Sequence, residues 1–446
     1  MSLSLPNTAA QKNPITPGTS LSARDYNSMW LSPSSRYAFG FYQQGKNHFV
    51  VGIWLVDKMS NKVLVWTADR DGPPVTSTAE LRLTMNGTII LTEQQRQDKL
   101  IVDAKARASS ASMLDSGNFV IYGDNDNTNT IWQSFEHPTD TLLESQSLPC
   151  IRQLTSSLSE TDSSTGRFCL HMKDDGNLVL YPEYIAETRW DAYWASNTTS
   201  SYSVKYYLSL NSTGSLQIWN SRNDSSPIAT LPGAENDQQK TGGNQIIYRA
   251  TLDFDGGFRL HAHHVNNGSD KIIASWPGEN PCEVNGFCSF NSYCTLHDDK
   301  PLCNCLTGYK FIDSNKKTLG CERNYSKAEC RGRKDGVAFY DMVPMNNIVW
   351  REHPYFETED MSSDQNCSFA CLVDCNCWAA LYDGSRCKKQ GFPLRYVRRA
   401  HESEASSTAF IKCSFVFSNY NIHPLHLQDS GIEVQKANEH WEHGAE

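Results

Sequence analysis

The sequence predicts a mainly β protein in which two tandem β domains of one kind precede two disulfide-rich modules. Short apolar runs separated by turn residues fill the first half of the chain, with no convincing amphipathic helix. Similar turn-plus-strand units recur, as at Leu114–Tyr122 and Asp174–Tyr181. In addition, 13 of the 15 cysteines lie between Cys282 and Cys413. These three observations together define the fold class.

Composition and charge exclude several classes of protein. A hydrophobic content of 39% is enough for packed cores, and a net charge of −10 argues against a nucleic-acid partner. No apolar run reaches the roughly 18 residues that a membrane-spanning helix needs. The N-terminus lacks the pattern of a secretory signal. We therefore expect no nucleic-acid binding and no membrane span in this chain.

The cysteines and the glycosylation motifs nevertheless favour the secretory pathway. Seven Asn-x-Ser/Thr motifs accompany the dense cysteines, and one such motif alone would be common by chance. We expect an extracellular or cell-surface protein whose signal peptide is missing from this sequence. The motifs begin at Asn86, Asn197, Asn211, Asn223, Asn267, Asn324 and Asn366.

Composition also suggests the domain boundaries. The segment 274–281 looks like a linker, and the module that follows it is too small to form its own apolar core without disulfides. The expected segments are a loose lead-in at 1–19, β domains at 20–145 and 146–275, cysteine-rich modules at 280–322 and 325–413, and a disordered tail at 414–446.

The best-formed repeat unit is the stretch from Lys173 to Tyr181. Its Asp-Gly pair predicts a tight turn, and the apolar run after it predicts a strand. Alternate side chains of a strand share one side, where a polar row can hydrogen-bond sugar hydroxyls above an apolar surface. A simple hairpin would show the same pattern, so both interpretations stay open. The row is Lys173, Asp175, Asn177, Val179 and Tyr181.

Three strings identify a family resemblance. Trp66-Thr-Ala-Asp-Arg70, Asp115–Val120 and Ile131–Leu142 together resemble the G-type (bulb-type) lectin S-receptor-like serine/threonine kinases of plants, closest to the cereal lectin receptor-like kinases. The resemblance covers about residues 15–413. It implies two bulb-lectin-like β-prism domains, the second of S-locus glycoprotein type, followed by an EGF-like and a PAN/apple module.

Full members of that family continue into a membrane helix and a kinase, and this chain departs from them there. It contains no glycine-rich phosphate loop followed by a strand lysine, no His-Arg-Asp and no Asp-Phe-Gly. We therefore expect no enzymatic activity, no cofactor and no metal in this chain.

The resemblance also gives the row a specific meaning. Bulb lectins bind mannose through Gln-x-Asp-x-Asn-x-Val-x-Tyr, and the row keeps four of those five positions, with Lys173 in place of glutamine. Affinity for one sugar would be on the order of millimolar, so several sites would have to act together. A scaffold inherited from a sugar-binding ancestor would show the same row. A weaker candidate keeps three positions, and its residues are Ser116, Asn118, Val120 and Tyr122.

Spacing alone leaves about 15 ways to pair the first six C-terminal cysteines, with a zinc site as the rival. The resemblance implies particular bridges, and Cys413 is then left over. The implied bridges are Cys282–Cys294, Cys288–Cys303, Cys305–Cys321, Cys367–Cys387, Cys371–Cys377 and Cys330–Cys375, and we also expect Cys150–Cys169 in the second lectin-like domain. Two further residues, His261 and His263, are expected to be surface histidines.

The expected function is that of the extracellular ligand-recognition region of a plant lectin receptor-like kinase. It would bind mannose-type glycans or protein ligands in defence or recognition, with dimerisation through the PAN module. Two alternatives stay open. One is a secreted S-locus-glycoprotein-like decoy or co-receptor, and the other is an incomplete part of a full receptor kinase.

Overall fold

The computed structural model describes residues 14–56, 62–94, 96–124, 128–183, 188–200, 204–222, 225–231, 246–324, 340–400, 404 and 407–414. The expected tail at 414–446 lies outside the described residues except for Ser414, as do positions 1–13 of the lead-in. The remainder of the lead-in is not loose. Ile15 is buried and exchanges two backbone hydrogen bonds of 2.8 Å with Ala111, because its apolar side chain reaches the first core.

The first prism is formed by three antiparallel sheets around one core. Their strand orders are β2-β3-β4-β5, β1-β6-β7-β8 and β11-β10-β9. Trp30, Phe39 and Phe119 stack at the centre with ring centroids 4.2 to 5.6 Å apart. The strands are β1 Ser20–Ser22, β2 Met29–Leu31, β3 Tyr37–Gly45, β4 His48–Leu55, β5 Val63–Thr67, β6 Glu80–Leu83, β7 Thr88–Thr92, β8 Lys99–Asp103, β9 Ser110–Met113, β10 Phe119–Tyr122 and β11 Thr130–Gln133, with a 3-10 turn at Ser134–Glu136.

The second prism repeats this plan with three four-stranded sheets. Their orders are β14-β15-β16-β17, β13-β18-β19-β20 and β12-β21-β22-β23. The strands are β12 Thr141–Leu143, β13 Ser147–Pro149, β14 Gln153–Ser159, β15 Asp162–Met172, β16 Leu178–Pro182, β17 Trp194–Ala195, β18 Tyr206–Leu210, β19 Leu216–Asn220, β20 Ala229–Thr230, β21 Ile246–Leu252, β22 Phe258–His264 and β23 Ser269–Trp276. The predicted pair of like β domains is therefore present.

The repeat units form the same turn in each sheet of the second prism. In the unit at 173–181 the Gly176 amide donates to the Lys173 carbonyl at 3.0 Å, with the Gly176 φ at +87°. A Cβ at Gly176 would lie 2.9 Å from the Tyr206 ring in the next sheet. Glycine is required here both by the left-handed backbone and by this close approach. The same contact recurs around the prism, at Gly214 against Tyr248 and at Gly256 against Phe168.

The two prisms are joined by more than a linker. In β12, Leu142 packs into the core of the second prism, and the next residue, Leu143, packs into the core of the first. The Arg70 guanidinium donates to the Thr155, Ser156 and Ser163 carbonyls at 2.8 to 3.0 Å. These contacts fix the second prism against the first.

The C-terminal region combines both cysteine-rich segments in one mixed sheet, β25-β24-β33-β29, beside the sheets β26-β27 and β28-β34-β31-β32-β30. The helix begins after Ser363, whose side chain accepts from the Asn366 amide at 3.2 Å. The elements are β24 Ser292–His297, β25 Lys300–Cys305, β26 Tyr309–Phe311, β27 Cys321–Arg323, β28 Tyr340–Asn346, β29 Ile348–Trp350, β30 Phe356–Thr358, α1 Asp364–Leu372, β31 Ala379–Tyr382, β32 Cys387–Gln390, β33 Val397–Arg399 and β34 Thr408–Ser414, with 3-10 turns at Pro281–Glu283 and Lys317–Leu319.

Five of the implied disulfides are present in the structure. They are Cys282–Cys294, Cys288–Cys303, Cys305–Cys321, Cys367–Cys387 and Cys371–Cys377. The pairing of Cys330 with Cys375 lies outside the described residues, because Cys330 does. Cys413 is a buried thiol whose pKa is raised by burial to about 12, so it is not exposed for pairing between chains.

The expected Cys150–Cys169 bridge is wrong. Both residues are thiols, and they belong to different clusters of side chains. Cys169 packs with Val179 and Tyr181 on the outer face of its sheet, whereas Cys150 packs against the core of the second prism. The sheet therefore separates the two sulfur atoms.

Substituting Gly176→Ala should destabilise the second prism by about 2–4 kcal/mol, because left-handed strain adds to overlap with the Tyr206 ring. Urea titration read by hydrogen-exchange mass spectrometry would report each prism separately. Gly18→Ala is the matched control, since Gly18 has a φ of +97° but a Cβ added there would meet no atom within 4 Å. Equal losses in the two variants would show that the ring contact contributes nothing.

Candidate functional site

The 173–181 row lies on the turn between β15 and β16 and continues along β16. Val179 and Tyr181 are 3% and 5% exposed. They pack with Cys169 on the outer face, apart from the core of the prism. Lys173, Asp175 and Asn177 are half-buried at the turn. The structure thus places Val179 and Tyr181 on one outer face, with the three polar members beside them at the turn.

Lys173 covers the aromatic end of the row. Its Nζ atom lies 5.4 Å from the centroid of the Tyr181 ring, which is a cation–π contact. The substitution of lysine for the glutamine of the lectin motif therefore does more than remove an acceptor. A ligand could contact the face of Tyr181 only if the Lys173 side chain moved aside.

Asp175 and Asn177 retain hydrogen-bonding capacity. Asp175 Oδ1 accepts from the Asn177 amide at 3.0 Å, and Asn177 Oδ1 accepts from the Ser196 hydroxyl at 3.1 Å. Among the described residues, no hydrogen bond occupies Asp175 Oδ2 or Asn177 Nδ2. One acceptor and one donor group are thus available side by side for a ligand's hydroxyl groups.

The weaker candidate row in the first prism does not offer its asparagine amide to a ligand. Asn118 Nδ2 donates to Gln133 Oε1 at 2.8 Å, and Asn118 Oδ1 accepts from the Ser134 hydroxyl at 3.1 Å and the Phe135 amide at 3.2 Å. The amide of Asn118 therefore has its donor and its acceptor satisfied within the fold. Ser116 replaces the aspartate of the motif, and its hydroxyl accepts from the Asn118 backbone at 3.4 Å. Val120 and Tyr122 are buried to the same degree as Val179 and Tyr181, so burial does not distinguish the two rows.

One residue on the neighbouring strand explains the difference between the rows. Gln133 is paired with Val120 in the first prism, and Ala195 is paired with Val179 at the equivalent place in the second. Alanine has no side-chain acceptor, so the Asn177 Nδ2 group remains able to donate a hydrogen bond to a ligand. The motif itself does not indicate this difference, which is visible in the sequence only when Trp132-Gln-Ser134 is compared with Trp194-Ala-Ser196.

The prediction that His261 and His263 are surface histidines is wrong. Both are buried, at 8% and 3% exposure, beside Asp270 on β23. His261 Nδ1 lies 3.1 Å and His263 Nδ1 3.6 Å from Asp270 oxygens, and Arg249 binds the same carboxylate through two bonds of 2.6 Å. A register shift between β22 and β23 brings Asp270 opposite His263. This cluster is structural, and the described residues contain no set of three or more His, Cys, Asp or Glu side chains that could hold a metal ion.

The asparagines of six of the seven glycosylation motifs lie within the described residues. Asn86, Asn197, Asn267, Asn324 and Asn366 are exposed, and Asn223 lies outside the described residues. The sixth, Asn211, is half-buried, and its Oδ1 accepts from Thr213 and Ser215. Modification of these positions stays a prediction.

The repeated three-sheet prisms define the class of the chain as a protein built from bulb-type lectin folds. The family described as D-mannose binding lectin matches residues 63–161, from β5 of the first prism to the end of β14 and the turn after it. Over most of its length the chain is also related to the lectin-containing half of the G-type lectin S-receptor-like serine/threonine-protein kinases.

Two relatives show the extent of that similarity. LECRK1 of Oryza sativa subsp. japonica, a G-type lectin S-receptor-like kinase, is 32% identical over 414 residues, covering 86% of this chain and 49% of the relative. RLK1 of Arabidopsis thaliana is 28% identical over 426 residues, covering 88% and 49%. The chain thus spans about half the length of the relatives it matches.

Among solved structures, the chain is similar to the mannose-specific agglutinin from snowdrop (Galanthus nivalis) bulbs complexed with methyl-α-D-mannoside. The identity is 26% over 27% of this chain and 87% of that chain, with a TM-score of 0.19.

The described residues contain neither a kinase domain nor a membrane helix. Their α-helix, Asp364–Leu372, has 9 residues. No helix in the described part of the chain is long and apolar enough to cross a bilayer. The similarity to kinases is therefore confined to their lectin-containing half.

We expect Asp270→Asn to lower the free energy of unfolding at pH 7 by about 3 kcal/mol, because Arg249 would lose its charged partner inside the fold. Burial would raise the pKa of Asp270, but hydrogen bonds from Arg249, His261 and His263 hold it well below its usual value. The stabilisation is therefore complete above the unfolded-state pKa of about 4 and is lost as the pH falls below it.

Urea titrations of the native chain and the variant from pH 7 to pH 3 test this expectation. The difference between the two should be largest at pH 7 and should shrink toward pH 3. Asp298→Asn is the control, since Asp298 contacts His297 at 3.3 Å with 89% of its side chain exposed. A difference that stays constant with pH would contradict the role assigned to the carboxylate.

Proposed function

We propose that the chain is the glycan-recognition part of a lectin receptor-like protein, with the 173–181 row as its monosaccharide site. The observation that carries the proposal is the available pair formed by Asn177 Nδ2 and Asp175 Oδ2. The match to the family described as D-mannose binding lectin ends at residue 161, before this row, and the second prism repeats the three-sheet plan of the first. The proposed site belongs to the second prism, because the corresponding amide of the first prism is already satisfied.

A hexose with neighbouring hydroxyl groups fits this arrangement. Asp175 would accept from one hydroxyl, and Asn177 would donate to the next. Lys173 would leave the Tyr181 ring and donate to a third oxygen, while Val179 lies beneath. Two or three exposed hydrogen bonds give affinities on the order of millimolar. Binding to a cell surface would then depend on several copies acting together.

The structural setting supports an extracellular role. Five disulfides hold the C-terminal region, and such bonds persist in oxidising compartments. The chain spans about half the length of its kinase relatives, and the role that we assign to it is ligand recognition. We assign protein contacts or dimerisation to the PAN-like segment at 325–413, as a proposal made on family resemblance.

Asp175→Ala should abolish binding of methyl-α-mannoside, because it removes both the free oxygen and the oxygen that holds the turn at Asn177. The measurement is a glycan array with calorimetry on the full chain, secreted with its disulfides formed. Asp174→Ala is the matched control, since Asp174 is exposed in the same turn but outside the row. The proposal fails if the native chain binds no glycan, or if Asp175→Ala binds equally well.

Ala195→Gln should weaken mannoside binding by about tenfold, because it installs the acceptor that occupies the Asn118 amide in the first prism. Ala195→Ser serves as the control, since its short side chain cannot reproduce that contact. Melting curves would show whether the larger side chain disturbs the cluster around Val179. Undiminished binding by a folded Ala195→Gln chain would contradict the assigned role of Asn177.

A further inference from the structure

A large cleft lies between the second prism and the C-terminal region. Its volume is about 1200 Å³, and the second prism contributes Thr188, Trp190 and Asp191 to its wall. The opposite wall comes from the C-terminal sheets. Asp191 joins the two sides, since it accepts from the Tyr396 hydroxyl at 2.8 Å. The cleft is therefore formed by the packing of the C-terminal region against the second prism. None of its lining residues belongs to the 173–181 row.

Exposed aromatic rings are concentrated in this cleft. Trp190 and Phe290 are each 42% exposed, and Tyr355 and Phe392 are each 48% exposed. These are four of the eight exposed aromatic side chains in the described part of the chain. Four exposed rings that line one concave site indicate a binding surface, because exposed apolar side chains without such a role are usually scattered singly.

The rings are held in place by their neighbours. The Arg323 guanidinium lies between the Trp378 and Phe392 rings, 3.7 and 4.1 Å from their centroids. The Tyr355 hydroxyl donates to Asp374 at 2.9 Å. A ligand would meet a largely preformed surface, which lowers the entropic cost of binding.

The charges of the cleft cancel. Its wall contains two carboxylates, Asp191 and Glu352, and two guanidinium groups, Arg323 and Arg395. Arg395 Nε donates to Glu352 at 2.8 Å and Arg395 lies 3.5 Å from Asp191. The wall thus offers polar groups without favouring a ligand of either charge. The exposed Asn376 side chain adds an amide that no other described residue occupies.

We propose that this aromatic cleft binds a neutral oligosaccharide. The C–H faces of pyranose rings would lie on Tyr355 and on the exposed part of Trp190, whose ring also contacts the His353 ring at 4.4 Å and the Arg189 guanidinium at 4.3 Å. Hydroxyl groups would bond to the Asn376 amide and the rim of the ion-pair network. An extended peptide fits less well. Strand addition needs an open sheet edge, and β32, which borders the cleft, has β30 and β31 on its two sides.

The test uses the full chain, secreted with its disulfides formed, and tetramers of β-linked glucose, N-acetylglucosamine and mannose. At least one neutral tetramer should bind in calorimetry. Trp190→Ala and Tyr355→Ala should each weaken that binding by about tenfold. Tyr355→Phe keeps the ring but loses the bond to Asp374, so it should bind better than Tyr355→Ala. The control is Phe369→Ala, which removes an exposed ring outside the cleft. Phe369 lies on α1 and is 58% exposed.

The outcomes separate this site from the 173–181 row. Asp175→Ala should leave tetramer binding intact, and Tyr355→Ala should leave methyl-α-mannoside binding intact. The proposal is overturned if no neutral tetramer binds at roughly 10 mM. Native-like binding by the two alanine variants would overturn it, as would preference for a galacturonic acid tetramer or for an extended peptide.

Discussion

The contact between a turn glycine and an aromatic ring organises the second prism. Each of its three sheets presents a glycine turn to a buried ring of the next sheet, so that Gly176 contacts Tyr206, Gly214 contacts Tyr248 and Gly256 contacts Phe168. The contacts close a cycle around the core. Because each ring is almost fully buried, a turn cannot shift without opening space at the next sheet. The turn that carries Asp175 and Asn177 is thus rigid before any ligand arrives.

Strand geometry also joins the two prisms. Adjacent residues of β12 point to opposite faces, so Leu142 and Leu143 enter different cores. Arg70 adds three donors to backbone carbonyls of the second prism. The relative position of the prisms is therefore fixed by apolar burial and by directional bonds, and the wall that carries Trp190 is held where the C-terminal region docks.

The sequence predicted those features that depend on local pattern. The repeated turns, the shared side of Val179 and Tyr181 and five disulfide pairings are visible in short stretches or in family resemblance. It did not predict features that depend on which strand lies alongside. The position of Asp270 against His261 and His263 follows from a register shift. The separation of Cys150 from Cys169 follows from the two faces of one sheet. The availability of the Asn177 side-chain amide for hydrogen bonding depends on Ala195, a residue on the next strand.

This dependence on a neighbouring strand explains why both prisms contain the asparagine of the motif but only the second leaves its amide nitrogen available to a ligand. Asn118 and Asn177 occupy the same place in the motif, and each accepts a hydrogen bond from a serine hydroxyl, that of Ser134 or Ser196. That shared bond holds the turn, so the asparagine has a structural role whether or not sugar binds. The two asparagines differ in their amide nitrogen, which has a hydrogen-bond partner at Asn118 and is available at Asn177. A lectin motif in such a repeat therefore predicts the fold. Whether it can also bind a ligand depends on the hydrogen-bond partner of its asparagine amide.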